Sequence, residues 1–193
     1  MSNPVYYIDG MQNMPEIQKK SKVGIVLNKH LQEWGTAILR AAIIIVVLFF
    51  FCWPMRLMGS SMEPTMWDGE IVLMNRFAAM QVAYEKGDIV MFHYFDADGD
   101  KTVVKRIIAT EGDTIRILED GVEVNGEIIE EAYADGETTG LVDMTVPAGT
   151  VFVMGDNRET SFDSRNMGAI PCEDLKGKVF FRVYPFSEFG MIE

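Results

Sequence analysis

Two adjacent serines, Ser60 and Ser61, stand in the small-residue turn of the segment GSSMEPTM, Gly59 to Met66. A serine hydroxyl is a weak nucleophile until a neighbouring base takes its proton. The usual helper is histidine, and the chain has two. His30 precedes the most apolar run and reads as a solvated tail residue; His93, in MFHYF, reads as a strand histidine with a satisfied hydrogen bond. The other source of a base is a lysine in apolar surroundings. Lys105, in TVVKRII, has Val103 and Ile107 two residues away, on its own face of a strand. Desolvation lowers the pKa of an amine from about 10.4 by up to several units. A lysine neutral near pH 7 to 8 can accept the serine proton. Taken alone, the local pattern favours an exposed lysine on an edge strand instead.

The elements that must position such a pair differ sharply along the chain. AAIIIVVLFFFCW, Ala41 to Trp53, is the apolar run, extended backward through WGTAIL with one interruption at Arg40. Thirteen apolar residues would suit a buried helix, but counting from Trp34 gives about twenty, enough to cross a bilayer if Arg40 snorkels to the headgroups. Lys19, Lys20, Lys22, Lys29 and Arg40 precede or open the run, and Arg56 closely follows it. The positive-inside bias then puts the N-terminus in the cytoplasm and everything after Pro54 outside. The expected organisation is a cytoplasmic tail over 1–33, a transmembrane signal anchor over 34–53 and an extracytoplasmic domain over 54–193. A cleaved signal peptide is the alternative, with GSS at 59–61 as its cut site; the long segment ahead of the run speaks for an uncleaved anchor.

Charge and cysteines narrow the function classes. The net charge is -12, and the part beyond Pro54 carries most of the acidic residues. That excess argues against a nucleic-acid surface, which needs a basic patch. Cys52 lies in the apolar run and Cys172 near the C-terminus, so no intrachain disulfide is expected. No cluster of His, Cys or carboxylates suggests a metal, and no cofactor is expected.

Beyond the run the pattern becomes short β-type segments with turn residues between them. EIVLMNRF, GDIVMFHYF and KTVVKRIIA are rich in Val, Ile and Phe, with DADGD marking a turn between the last two. DTIRILEDGVEVNGEII is broken by Asp120-Gly121 and Asn125-Gly126, both hairpin signals. GTVFVMGDN and GKVFFRVYPF complete the set. No helical segment after Pro54 exceeds about two turns, so the expected fold is mostly β, one compact domain on an N-terminal tether.

Four segments, GSSMEPTM, GDIVMF, VVKRIIATEGD and VFVMGDNRETSFDSR, occur in that order after an apolar segment. Together they resemble bacterial type I signal peptidases, over most of the chain from Trp53 to Tyr184. The resemblance implies a membrane-bound serine endopeptidase with a Ser-Lys dyad, acting on the signal peptides of exported preproteins and cutting after small residues. Ser61 matches the family's nucleophile and Lys105 its general base. Ser161 matches the residue that orients the lysine amine. Arg106, Asp156, Arg158, Asp163 and Arg165 become structural charges around the site, with Arg106 pairing one of the aspartates. Leu57, Met58, Met62 and Val104 would line shallow pockets for the substrate.

Departures from the family pattern also matter. Some members carry a serine two residues before the nucleophile that helps stabilise the oxyanion, and here that position is Gly59. The oxyanion hole then falls to the Ser61 N–H with help from the backbone around Ser60 and Gly59. ATEGD replaces a common Leu-Pro before Gly-Asp, past the lysine, and a large β insertion of some relatives has no room in the chain. Two rival readings remain. A self-cleaving Ser-Lys repressor would need an N-terminal DNA-binding module, and the apolar segment opposes it. A membrane-tethered β binding module would make the serine and lysine incidental, and a Ser61→Ala comparison on a preprotein separates it from a peptidase.

Overall fold

The computed structural model describes residues 32–46, 52–81, 84–96, 99–119 and 121–192. The chain divides into two units, Met1–Leu48 and Phe49–Glu193. Of the first, residues 32–46 form a helix, α1, with every residue exposed, including Trp34, Ile38, Leu39, Ile43, Ile44 and Ile45. Among the described residues no helix is long and apolar enough to cross a membrane. The tail, His30, and residues 47–51 of the expected anchor lie outside the described residues.

The apolar run does not continue as helix to its expected end. Cys52 and Trp53 open strand β1 (Cys52–Arg56), which pairs antiparallel with β2 (Ile71–Asn75). Their backbone groups find partners opposite Asn75 and Met74, and the Trp53 ring lies under the Arg76 guanidinium, 5.6 Å from its centroid. Sheet pairing thus takes over where hydrophobicity alone suggested continuity.

The second unit is built of β-strands, as its short alternating segments predict. After a one-turn helix α2 (Phe77–Gln81) come β3 (Ile89–Asp96), β4 (Gly99–Thr110), β5 (Thr114–Leu118), β6 (Gly121–Val124), β7 (Glu127–Ile128), β8 (Asp143–Thr145) and β9 (Thr150–Met154). A short helix α3 (Ser164–Met167), then β10 (Ile170–Pro171), β11 (Leu175–Tyr184) and β12 (Gly190–Met191) follow. One sheet runs β1-β2-β11-β3-β4-β9-β10 with β12 beside β11, and a smaller one runs β7-β6-β5-β8. β3 and β4 pair from Ile89↔Arg106 to Asp96↔Gly99, closing on the DADGD segment, part of which is outside the described residues. Asn125 and Gly126, with φ of 55° and 85°, make the tight turn between β6 and β7 that requires two positive φ values. β5 and β6 pair up to Leu118↔Gly121, so Gly121 belongs to the strand and Asp120 lies outside the described residues.

The β3–β4 hairpin positions the site because its two faces pack into different cores. Ile89, Met91 and Val104 join a cluster with Leu57, Met62, Met66, Val72 and Met74. Val90, Phe92 and Ile107 join another with Val151, Val153 and Leu175, and Val103 and Tyr94 pack against it. Side chains two apart share a face. With each fully buried aliphatic or aromatic side chain contributing about 1.5–3 kcal/mol, both faces of the hairpin are fixed in register. Both cysteines are free thiols.

Candidate active site

The loop from Leu57 to Glu70 carries Ser61. Its neck is closed by hydrogen bonds from Leu57 N to the Glu70 carbonyl (2.8 Å) and from Gly69 N to the Leu57 carbonyl (3.1 Å). Inside it, Met62 and Met66 are buried and Met66 N donates to the Met62 carbonyl at 2.8 Å, so the loop hangs from its own apolar side chains. A third segment holds the serine from behind: Asn157 N donates to the Ser61 carbonyl at 3.2 Å.

Lys105 sits in β4 opposite Val90 and is 2% exposed. Its Nζ lies 2.6 Å from Ser61 Oγ, a hydrogen bond between residues 44 apart in the chain. Burial pushes the amine down to about 8 from its ordinary 10.5, although Asp163 and Asp156 pull the other way; Arg165 adds to the depression. Burial of the amine thus lowers its pKa in the direction that its apolar sequence neighbours led one to expect.

Every charged residue singled out near Lys105 is engaged. Arg106 donates from Nε and Nη2 to the two carboxylate oxygens of Asp156 at 3.0 and 2.8 Å, and from Nη1 to the Gly87 carbonyl. Thr65 Oγ1 donates to the same carboxylate, and the Arg106 guanidinium lies 4.0 Å over the Tyr133 ring. Arg158, almost fully buried, forks onto Glu131 at 2.8 and 2.7 Å and reaches Thr138 and the Gly155 carbonyl. Arg165 donates to Asp163 from Nε and Nη2 and to the Arg158 carbonyl. Asp163 also caps α3 through the Arg165 N–H and accepts from Gly155 N at 3.0 Å. Burial alone would raise the Asp163 carboxyl, but these hydrogen bonds and the Arg165 charge hold it below its ordinary value. Paired geometry of this kind matters because breaking a buried pair strands a charge, at a cost of about 3–5 kcal/mol.

Two of the expected roles fall on groups whose hydrogen bonding differs from what the resemblance implies. Lys105 is bonded to Ser61, whereas Ser161, expected to orient the amine, has a buried Oγ with no hydrogen-bond partner. Its hydroxyl is close enough to the Asp163 carboxylate to favour the charged form without reaching hydrogen-bond geometry. The Ser161 side chain and the Ser61 carbonyl oxygen both pack against Gly155, where an added Cβ would stand less than 3.0 Å from Ser161 Oγ, Ser161 Cβ and that oxygen. The second concerns the backbone around the nucleophile. Gly59 adopts φ +90°, and its N–H donates to Asp68 Oδ1 at 2.8 Å, so it is not a donor toward an oxyanion. Ser60 is exposed, and its carbonyl accepts from Glu63 N.

Two cavities meet at Ser61. One, of about 110 Å³, contains all four predicted pocket residues, Leu57, Met58, Met62 and Val104, with Met55 and Met66 beside them. The other, of about 380 Å³, contains Lys105, Val103, Tyr94, Thr160 and Phe162. Sequence reasoning missed Met55 and Met66, whose signal was spacing: they alternate with, or lie one turn from, residues already chosen. It also missed Glu131, Thr138 and Asp68. Glu131 sits in an acidic run that reads as solvated surface, and the signal for it was indirect, since a buried Arg158 requires a carboxylate.

The family model described as "Signal peptidase, peptidase S26" matches residues 31–184. A protein named signal peptidase IB from Staphylococcus aureus (strain Mu50 / ATCC 700699) is 36% identical over 186 residues, covering 84% of this chain and 94% of its own length. Signal peptidase I U of Bacillus subtilis (strain 168) is 36% identical over 162 residues, 78% of this chain and 86% of that protein. The crystal structure of a signal peptidase I from Enterococcus faecalis V583 aligns with a TM-score of 0.43 and 27% identity, over 50% of this chain and 96% of that one.

Proposed function

The chain belongs to the signal peptidase family, peptidase S26, and from that premise we propose that it removes signal peptides from exported preproteins with Ser61 as nucleophile and Lys105 as general base. The observation that carries this reading is the 2.6 Å approach of a buried lysine to a serine hydroxyl. Lys105, as the neutral amine, takes the Ser61 proton while Oγ attacks the carbonyl carbon before the cut. The Ser61 N–H stabilises the tetrahedral oxyanion. The Lys105 ammonium then gives its proton to the leaving nitrogen, and the C–N bond breaks. Water, deprotonated by the same amine, hydrolyses the acyl-enzyme. Ser161, buried and unpartnered beside this pair, orients the lysine once substrate rearranges the site.

Specificity follows from the two cavities and the edge of β4. β9 pairs with β4 from Arg106 to Thr110, whereas the stretch 99–105 pairs with β3 on one side. An extended substrate adds along the other side, and alternate side chains point to alternate faces. The cavity of about 110 Å³ on the Val104 face then takes the residue before the cut, and its methionine and valine lining favours an apolar side chain.

The test is cleavage of a preprotein by the full chain in detergent, followed across pH, with the new N-terminus sequenced. Because only neutral Lys105 accepts a proton, the rate is expected to rise with pH through about 8 and level above it. In the same series Ser161→Ala should lower the plateau about 10- to 100-fold. Ser164→Ala should mainly lower stability, since Ser164 Oγ accepts from the buried Val153 N–H at 3.0 Å. An acidic limb near 10, or a damaging Ser164→Ala beside a neutral Ser161→Ala in the rate, would remove Lys105 and Ser161 from these roles.

The apolar character of the segment from Trp34 up to strand β1, whose residues 34–46 are exposed in α1, and the basic residues before it support a cytoplasmic N-terminus, a plasma-membrane signal anchor ending ahead of Cys52, and a catalytic domain on the outer face. Protease added to intact cells is expected to digest the β unit and leave roughly the first thirty residues protected. Protection of the β unit instead would place the dyad in the cytoplasm.

A further inference from the structure

We propose that Phe162 and Tyr94 form the wall that receives the substrate residue immediately after the cut, and that the peptidase therefore favours an apolar side chain there. This inference rests on the dyad reading above and adds the leaving-group side of the site to it.

Which side of the scissile bond each cavity serves is set by the base. The proton that Lys105 takes from Ser61 must be delivered to the nitrogen of the leaving residue, so that nitrogen approaches Nζ rather than the opposite face of β4. Lys105 belongs to the cavity of about 380 Å³ and is absent from the lining of the smaller one. The leaving residue therefore enters the Lys105 cavity. Strand alternation agrees with this: a side chain before the cut that points to the Val104 face, as proposed above, is followed by one that points to the Lys105 face.

That face is made by the β3–β4 hairpin and closed by the loop after β9. Tyr94 pairs with Lys101 in the ladder, two positions from the Phe92↔Val103 pair and four from Val90↔Lys105, so these side chains line up on one side. Phe162 stands over them, its ring 5.6 Å from that of Tyr94 at a tilt of 54°. Ser161 points inward and is buried, and its neighbour Phe162 points outward and is 51% exposed. A half-exposed aromatic ring beside the nucleophile, already supported by a second ring, offers an apolar surface that a substrate side chain can cover. The cavity on this face, about 380 Å³, is also the larger of the two that meet at Ser61, the one on the Val104 face measuring about 110 Å³.

The chemistry supplies a distinguishing signature. The residue after the cut leaves when the acyl-enzyme forms, whereas the residues before it remain attached. Contacts with Phe162 therefore act on acylation and are gone before deacylation. A peptide series varied only after the cut (Ala, Leu, Phe, Asp) and a second series varied at the first and second positions before it are compared on the full-length protein, wild type and Phe162→Ala. Wild type is expected to prefer Leu or Phe over Ala after the cut by about tenfold or more in kcat/KM, the range one to a few methylenes give in an apolar pocket. Phe162→Ala should collapse that preference toward unity, with preferences before the cut and the deacylation rate unchanged. Phe162→Leu should restore part of it. An unchanged Leu-to-Ala ratio in Phe162→Ala, or a change confined to the second residue before the cut, would overturn the assignment while leaving the dyad intact. Failure of wild type to exceed Ser61→Ala on any peptide would overturn the peptidase reading itself.

Discussion

Replacing Ser61 by alanine, Lys105 by alanine, or both should bring preprotein cleavage to the same near-background rate, a loss on the order of 10⁴-fold or more. The two groups share one hydrogen bond of 2.6 Å and one proton, so removing either removes the unit, and the double change should cost no more than a single one. Lys105→Arg should fail as completely, because a guanidinium stays protonated and cannot accept the serine proton. Folding should survive in Lys105→Ala, since the amine lost is a desolvated one that the fold tolerates at a cost. The measurement is kcat/KM on protein shown by its unfolding transition to be native. Substantial cleavage by either single alanine variant would break the assignment.

The second large effect is expected at a residue with no reactive group. Gly155→Ala should lower kcat/KM about 10²-fold or more and destabilise the fold by about 1–3 kcal/mol. The added methyl has to occupy space already held by the Ser161 side chain and the Ser61 carbonyl oxygen, both within 3.0 Å of it. Backbone conformation is not the obstacle, because no left-handed φ is required of Gly155; crowding is. Relief would push Ser61 off Lys105 or swing Ser161 away, and Gly155 itself is pinned through its N–H to Asp163 and its carbonyl to Arg158. Urea unfolding together with kcat/KM separates the two losses. Near wild-type activity in Gly155→Ala would mean that the loop after β9 yields, and that it does not set the position of the nucleophile.

Much of this was legible in the residues, for identifiable reasons. Short runs rich in Val, Ile and Phe, GDIVMFHYF and KTVVKRIIA, marked β3 and β4, and Asn125-Gly126 marked its turn, because both signals act over a few residues. Lys105 stood out by its apolar neighbours. The limits were long-range. Nothing local distinguishes Glu131 from the other acidic residues around it; only its pairing with Arg158 does. The end of the apolar run misled because Cys52 and Trp53 are apolar enough for a helix, and what makes them strand is β2, some twenty residues later. Gly59 looked like an oxyanion contributor until its N–H was found on Asp68. The orphaned hydroxyl of Ser161 has no sequence signal, since whether a buried hydroxyl finds a partner depends on which groups the fold brings beside it.

The hydrogen bond from Asn157 to the Ser61 carbonyl has a consequence in the order of synthesis. A ribosome that has delivered the chain as far as β8 has made Ser61 and Lys105, but not Asn157, nor the Asp156 that holds Arg106, nor the Asp163 whose charge bears on Lys105. Until those residues emerge, serine and lysine belong to a chain that lacks the parts fixing their geometry. The Ser61–Lys105 geometry is therefore complete only once the final quarter of the chain has been made.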